Sequence, residues 1–173
     1  RNNQLLGLAN NLNSWIETYD KNGEAFFAGK QKEATSGLES FYKDYRPEVD
    51  EAVFAGLMEI YAQNVRDEWG AGFVKTAAGK NGGYAGLASA IFKNSALANR
   101  EKMNALLAEK PAAIAEALKN DPAYTLWKAL NDAYQANVQP KLQELQPQIN
   151  MLQRQYMAAQ MQVFKEKRFF PDA

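Results

Sequence analysis

β-Branched residues are scarce in this chain: six Val, five Ile and four Thr among 173 residues. Strands are built from such residues, because a branched Cβ packs well on a pleated surface and loses χ1 freedom in a helix. Ala, Leu, Gln, Glu and Lys dominate instead, and all five are good helix formers. Extensive sheet is therefore not expected, and the chain reads as all-α. With 46% apolar residues it has enough for a sizeable core, as one helical domain over 1–173.

Apolar spacing places the helices. Leu5, Leu8, Leu12, Trp15, Ile16 and Tyr19 recur at helical period, so a first helix is predicted from about Asn3 to Tyr19. Asp20-Lys21-Asn22-Gly23 is a stop signal. A less regular helical stretch follows from Glu24 to Tyr45, weakened by Gly29 and Gly37. Arg46-Pro47 marks a boundary, and Pro47 suits a first helical turn with Glu48, Asp50 and Glu51 against the positive end of the helix dipole. The face of that helix expected to be apolar carries Val49, Val53, Leu57, Ile60, Tyr61 and Val65. Six of the eleven glycines fall between 70 and 86, which predicts a mobile loop there. Leu87 and Ile91 point inward from the next ordered stretch. Asn99 can cap a helix through Met103, Leu106 and Leu107, and Pro111 opens a short one through Ile114 and Leu118. Asp121-Pro122 is the strongest start signal, an acid at the cap followed by Pro at the first helical position.

From Asp121 the helical pattern runs to about Phe164. Leu142, Leu145, Ile149, Leu152, Tyr156, Ala159 and Val163 keep a strict 3-4-3-4 spacing, the seam of an antiparallel bundle or a coiled coil. Pro140 and Pro147 lie within it, so a kink or break is expected near Ala136–Gln143. The architecture predicted is an irregular antiparallel helical bundle with a long, Pro-kinked C-terminal helix. Packing within the molecule is the favoured use of the 142–163 stripe, and partner binding is the alternative. Lys165-Glu166-Lys167-Arg168 closes the helix, and Phe169 to Ala173 reads as extended chain.

Composition also excludes chemistry. The chain has no Cys and no His, so it holds no disulfide, no thiol nucleophile and no histidine base. Zinc sites built on those residues are excluded as well. Twenty basic residues balance twenty acidic ones, and a neutral chain lacks the field a nucleic-acid binder uses. No apolar run is long enough to span a membrane. With no initiator Met, and no apolar signal segment after Arg1, the chain is expected to be either a processed form or an excised piece of a longer one.

Each local string that suggests a site has a plainer reading. Asp20 to Glu24 suggests a calcium loop, but its Gly falls at position four instead of six, and Gln31 stands where a bidentate Glu is needed. Gly79-Lys80 suggests a phosphate loop, but six residues separate it from Gly72 and Asn81 replaces the Ser/Thr that would meet magnesium. Glu48, Asp50, Glu51, Asp67, Glu68 and Glu144 sit at helix starts or on polar faces, where solvated charge is the usual reason. Among the aromatics, Trp15, Trp127, Phe41, Tyr42 and Tyr45 read as core at helical spacing. For Trp69, beside the glycine-rich stretch, core packing is the favoured reading and facing a cleft or partner is the alternative. No residue is assigned as catalytic, no substrate-binding residue is identified, and no metal or cofactor is called for.

Several strings together resemble the S46 family of bacterial dipeptidyl-peptidases. They are Phe41-Tyr42-Lys43-Asp44-Tyr45 with Asp50 and Val53-Phe54; Asp121-Pro122-Ala123-Tyr124; and Leu152-Gln153-Arg154-Gln155-Tyr156-Met157-Ala158 with Phe169-Phe170-Pro171-Asp172-Ala173. They occur in the family's order over about 40–173, although the family often has Tyr where Phe170 stands. The resemblance implies a secreted or periplasmic serine exopeptidase that removes dipeptides from free N-termini. In that family a Ser-His-Asp triad sits on a double β-barrel, and an inserted all-helical domain caps the active site. This chain then corresponds to the C-terminal part of the helical insertion. Its partners would be the β-barrel domain of the same chain and the peptide substrate, with no nucleic acid and no membrane, and with a homodimer as a further option. No catalytic residue carries over, and acidic against hydrophobic P1 preference stays open. Two other readings stand beside it: a stand-alone helical interaction protein using the 142–163 seam, and a ligand-binding bundle with Trp69 and Trp127 in its cleft.

Overall fold

A computed structural model describes residues 3–165, with the side chains of 25–34 outside the description. The expected helix closure at 165–168 and the extended stretch 169–173 fall almost wholly outside the described residues. Those described form nine α-helices and one 3-10 turn, with no strand among them. The helices are α1 (Gln4–Asn22), α2 (Glu24–Asp44), α3 (Pro47–Asn64), α4 (Ala71–Lys80), α5 (Tyr84–Asn94), α6 (Arg100–Leu107), α7 (Pro111–Lys119), α8 (Pro122–Asn137) and α9 (Gln139–Val163). The chain divides into two compact units, Arg1–Ala133 and Tyr134–Ala173.

The first unit is an irregular bundle. α3 packs on α4 and α5, α4 on α5, α1 on α2 and α7, and α6 on α2 and α7. Its core holds Leu5, Leu12, Phe54, Val74, Leu97, Met103, Ile114 and Leu118, all with almost no exposure. Phe54 and Phe92 meet edge to face with centroids 5.8 Å apart, an arrangement that suits the ring quadrupoles. Caps set most boundaries. Asn3 Oδ1 accepts from the Leu6 N–H at 3.0 Å, and Asn99 Oδ1 from the Lys102 N–H at 2.9 Å. Pro47 and Pro111 each open a helix at its first turn.

Two expectations need correction. The buried face of α3 is Asp50, Phe54, Met58 and Ala62, whereas Val49, Val53 and Ile60 are exposed. α3 has two apolar stripes, and the inner one carries an acid that hides it from a hydropathy reading. The stretch 70–86, expected as a loop, is mostly α4 and the start of α5. Ala71, Val74 and Ala78 give α4 a buried face, and the turn is confined to Asn81-Gly82-Gly83. Gly82 and Gly83 take positive φ (75° and 109°), and the Gly83 N–H reaches back to the Ala78 carbonyl at 2.8 Å, a Schellman-type stop. Gly86 has a different reason: a Cβ there would overlap the Asn81 carbonyl oxygen.

In the second unit the helical pattern breaks between Asn137 and Gln139, just before Pro140, and α9 then runs through Pro147 to Val163. The seam expected to pack is exposed: Leu142, Leu145, Ile149, Leu152, Tyr156 and Val163 are all open to solvent. Among its described residues the second unit offers α9 no further long helix to pack against, and a lone helix cannot bury its own stripe.

Candidate functional site

Four places have features of a site: two separate buried carboxylates, a cleft between α1, α3 and α8, and a second cleft beside α5. Asp50 is 5% exposed. Its carboxylate accepts from the Asn3 side-chain amide (2.7 Å), the Gln4 N–H (3.0 Å), the Leu5 N–H (2.9 Å) and the Tyr45 hydroxyl (3.3 Å). It therefore satisfies the free N–H groups of the α1 N-terminus from the first turn of α3, and favours the positive end of the α1 dipole. Asp121 does the same kind of work elsewhere. It accepts from Ser95 Oγ (2.8 Å), the Ala96 N–H (2.8 Å) and the Ala123 N–H (2.9 Å), tying the end of α5 to the start of α8. Neither acid faces a cavity with a nucleophile, so both are structural hubs and not an acid-base pair.

Tyrosines complete these hubs. The Tyr42 hydroxyl donates to the Leu97 carbonyl at 2.8 Å. Burial, and then the negative field of Asp121, push its pKa well above the usual tyrosine range. Tyr45 is pushed higher still by burial first and then by Asp50. Both stay protonated as donors. Phe41 packs on them, with ring centroids 5.1 Å from Tyr42 and 4.6 Å from Tyr45, so this aromatic string is core as the sequence suggests.

The α1/α3/α8 cleft has a volume of about 500 Å³ and is lined by Asn3, Leu6, Gly7, Asn10, Leu57, Met58 and Trp127. Asp50 fixes its geometry, because it docks the α1 N-terminus on α3. Gly7 leaves open space on one wall, where an added Cβ would meet nothing within 4 Å. Trp127 thus lines a cleft, but Trp69 lines neither of the two, so the ligand-binding reading, which put both in one cleft, is met only at Trp127. Trp69 sits half-buried in the 3-10 turn Asp67–Trp69, its carbonyl accepting from the Tyr61 hydroxyl at 2.7 Å and the Arg66 guanidinium 4.9 Å from its ring. The second cleft, about 410 Å³, has an apolar floor that includes Phe73, Leu87 and Ile91, and Asn81, Asn94 and Asn120 at its wall. The lining of both clefts is mainly apolar with a few side-chain amides. Neither is lined by a titratable residue that could transfer a proton. No group of three or more metal-ligating side chains occurs among the described residues. None of their helices is long and apolar enough to cross a membrane.

Fold and site together define an all-helical module with two mainly apolar clefts and two buried carboxylate hubs. Comparison with known proteins gives that module a family. The peptidase S46 family profile matches residues 1–173, and the chain belongs to that family. It is 31% identical over 173 residues to an Asp/Glu-specific dipeptidyl-peptidase of Flavobacterium psychrophilum. It is 28% identical over 174 aligned residues to a protein of the same description from Capnocytophaga gingivalis. All of this chain is covered in both, but it spans only 24% of each relative's length.

Proposed function

We propose that this chain is a noncatalytic helical lid within a dipeptidyl-peptidase of the serine class. The observation that carries the reading is the match of the whole chain to a peptidase family by a sequence with no histidine. A Ser-His-Asp triad cannot be completed inside it, so its contribution must be something other than bond cleavage. A lid closes over the substrate, excludes water and limits which end of a peptide can enter. Here it blocks one end of the cleft, so that dipeptides are released from free N-termini. Its working partners are the β-barrel catalytic domain of the same chain and the peptide itself, and its location is periplasmic or secreted. The descriptions of the two relatives support Asp/Glu specificity for the parent.

The test is the parent enzyme with this segment replaced by a short linker, assayed on a long peptide carrying acidic or apolar residues near its N-terminus. The expected result is loss of dipeptide release, or new internal cleavage. Unchanged release with no internal cleavage overturns the lid. Trp127 in its cleft favours a second reading, a ligand-binding role, and Trp127→Ala in the intact parent tests it through KM.

A further inference from the structure

Three helices end at the cleft beside α5. Asn81 follows α4, Asn94 ends α5 and Asn120 follows α7, and all three line the same space of about 410 Å³. Each carboxamide gives one N–H to the carbonyl four residues back: Asn81 to Ala77 (2.8 Å), Asn94 to Ala90 (2.8 Å) and Asn120 to Glu116 (3.0 Å). That bond holds the side chain, while its oxygen and second N–H have no partner among the described residues. The backbone beneath is fixed as well. Ser95 and Asp121, the residues after Asn94 and Asn120, are joined at 2.8 Å. Gly86 admits the Asn81 carbonyl against α5. The floor is buried Leu87, Ile91 and Leu126, with exposed Phe73 at its edge. An apolar floor with a few fixed polar groups is the usual make-up of a binding cleft. Its charge has one sign. No acid lines it, and a lysine directly precedes each asparagine: Lys80, Lys93 and Lys119, all exposed. Lys119 is held by Asp20 at 2.6 Å, whereas Lys80 and Lys93 have no carboxylate partner among the described residues.

We propose that this cleft binds an extended, acidic segment of the parent enzyme's peptide substrate, with one apolar side chain seated on the Leu87, Ile91 and Leu126 floor. A carboxamide has the donor and acceptor of a peptide group in one plane, so it can pair with the N–H and C=O of a peptide main chain. Three held carboxamides recognise a backbone with little regard to sequence. Selection then falls to the floor, which takes an apolar side chain, and to Lys80 and Lys93, which attract carboxylates and repel basic residues. Little ordering is left to be done on binding, because the i−4 bonds, the Ser95–Asp121 contact and the α4–α5 turn already hold the amides. The choice of occupant rests on the peptidase reading, since it is a peptidase parent that brings peptides to this surface.

The test is binding to the full-length parent of a fluorescein-labelled peptide, acetyl-Glu-Glu-Leu-Glu-Glu, read by fluorescence anisotropy. Its blocked N-terminus keeps it from being processed, so binding is measured without turnover. Saturable binding that weakens with salt is expected. Asn94→Ala with Asn120→Ala is expected to weaken it about tenfold, and so is Lys80→Glu with Lys93→Glu, which should also flatten the salt dependence. Ala90→Phe fills the floor while every amide and lysine stays, and is expected to abolish binding. These three sets alter different parts of the cleft, and circular dichroism and melting check the folding of each. The basic counterpart acetyl-Lys-Lys-Leu-Lys-Lys is expected not to bind. Absence of saturable binding to the unaltered parent overturns the proposal, as it would if another part of the parent covers the cleft. Binding that survives in every folded variant, or a basic peptide held as tightly as the acidic one, overturns it too. Dipeptide release from the linker-replaced parent belongs to the lid reading and can fail separately.

Discussion

Asp50 and Asp121 act inside the first unit as caps shared between helices. Each holds two or more donors that would otherwise be buried without a partner. Replacing Asp50 with Ala strands the Asn3 amide and the Gln4 and Leu5 N–H groups, and is expected to cost about 3 kcal/mol, read as a lowered urea midpoint. Gly86→Ala should also destabilise, by about 2 kcal/mol or more, because its methyl overlaps the Asn81 carbonyl and the tight α4–α5 turn must open. Tyr42 and Tyr45 give the first unit a pH dependence. Their folded pKa values are raised, whereas unfolded tyrosine loses its proton near pH 10. Above that pH the unfolded state binds fewer protons, so the stability from these two groups is complete below about pH 10 and declines as pH rises further. Urea unfolding at increasing pH is expected to show that decline, and Tyr42→Phe should flatten part of it.

Among the elements, the helices whose ends carry chemical punctuation were legible in the sequence. Asn99, Pro111 and Asp121-Pro122 start helices as read, and Leu5, Leu8, Leu12 and Ile16 face inward from α1. α3 and α4 were misread for physical reasons. A buried acid satisfied by a distant helix N-terminus looks, in sequence, like a solvated one. Glycines needed for a tight turn and a close backbone approach look like glycines in a loose loop. The cleft was legible only as Trp127, since its other walls depend on how Asp50 docks α1, a contact 45 residues apart in the chain. The two faces of α3 can be told apart by truncation. Met58→Ala is expected to cost about 2–4 kcal/mol, whereas Val49→Ser or Ile60→Ser should change stability by less than about 0.5 kcal/mol.

At the scale of the whole molecule, the buried core and the heptad seam lie in different units. The buried apolar side chains run from Leu5 to Leu126, all within Arg1–Ala133. Folding cooperativity should therefore reside in the first unit. The second unit offers an exposed surface in place of a core. A chain ended at Ala133 is expected to keep one cooperative thermal transition, with a calorimetric enthalpy of roughly 90 kcal/mol near 60 °C for its 133 residues. Its van't Hoff and calorimetric enthalpies should agree, since the hubs at Asp50 and Asp121 and the Phe54–Phe92 contact are all retained. A truncated chain that melts without a transition would place part of the folding free energy in residues 134–173. Ile149→Glu in the untruncated chain would then be expected to lower its melting temperature.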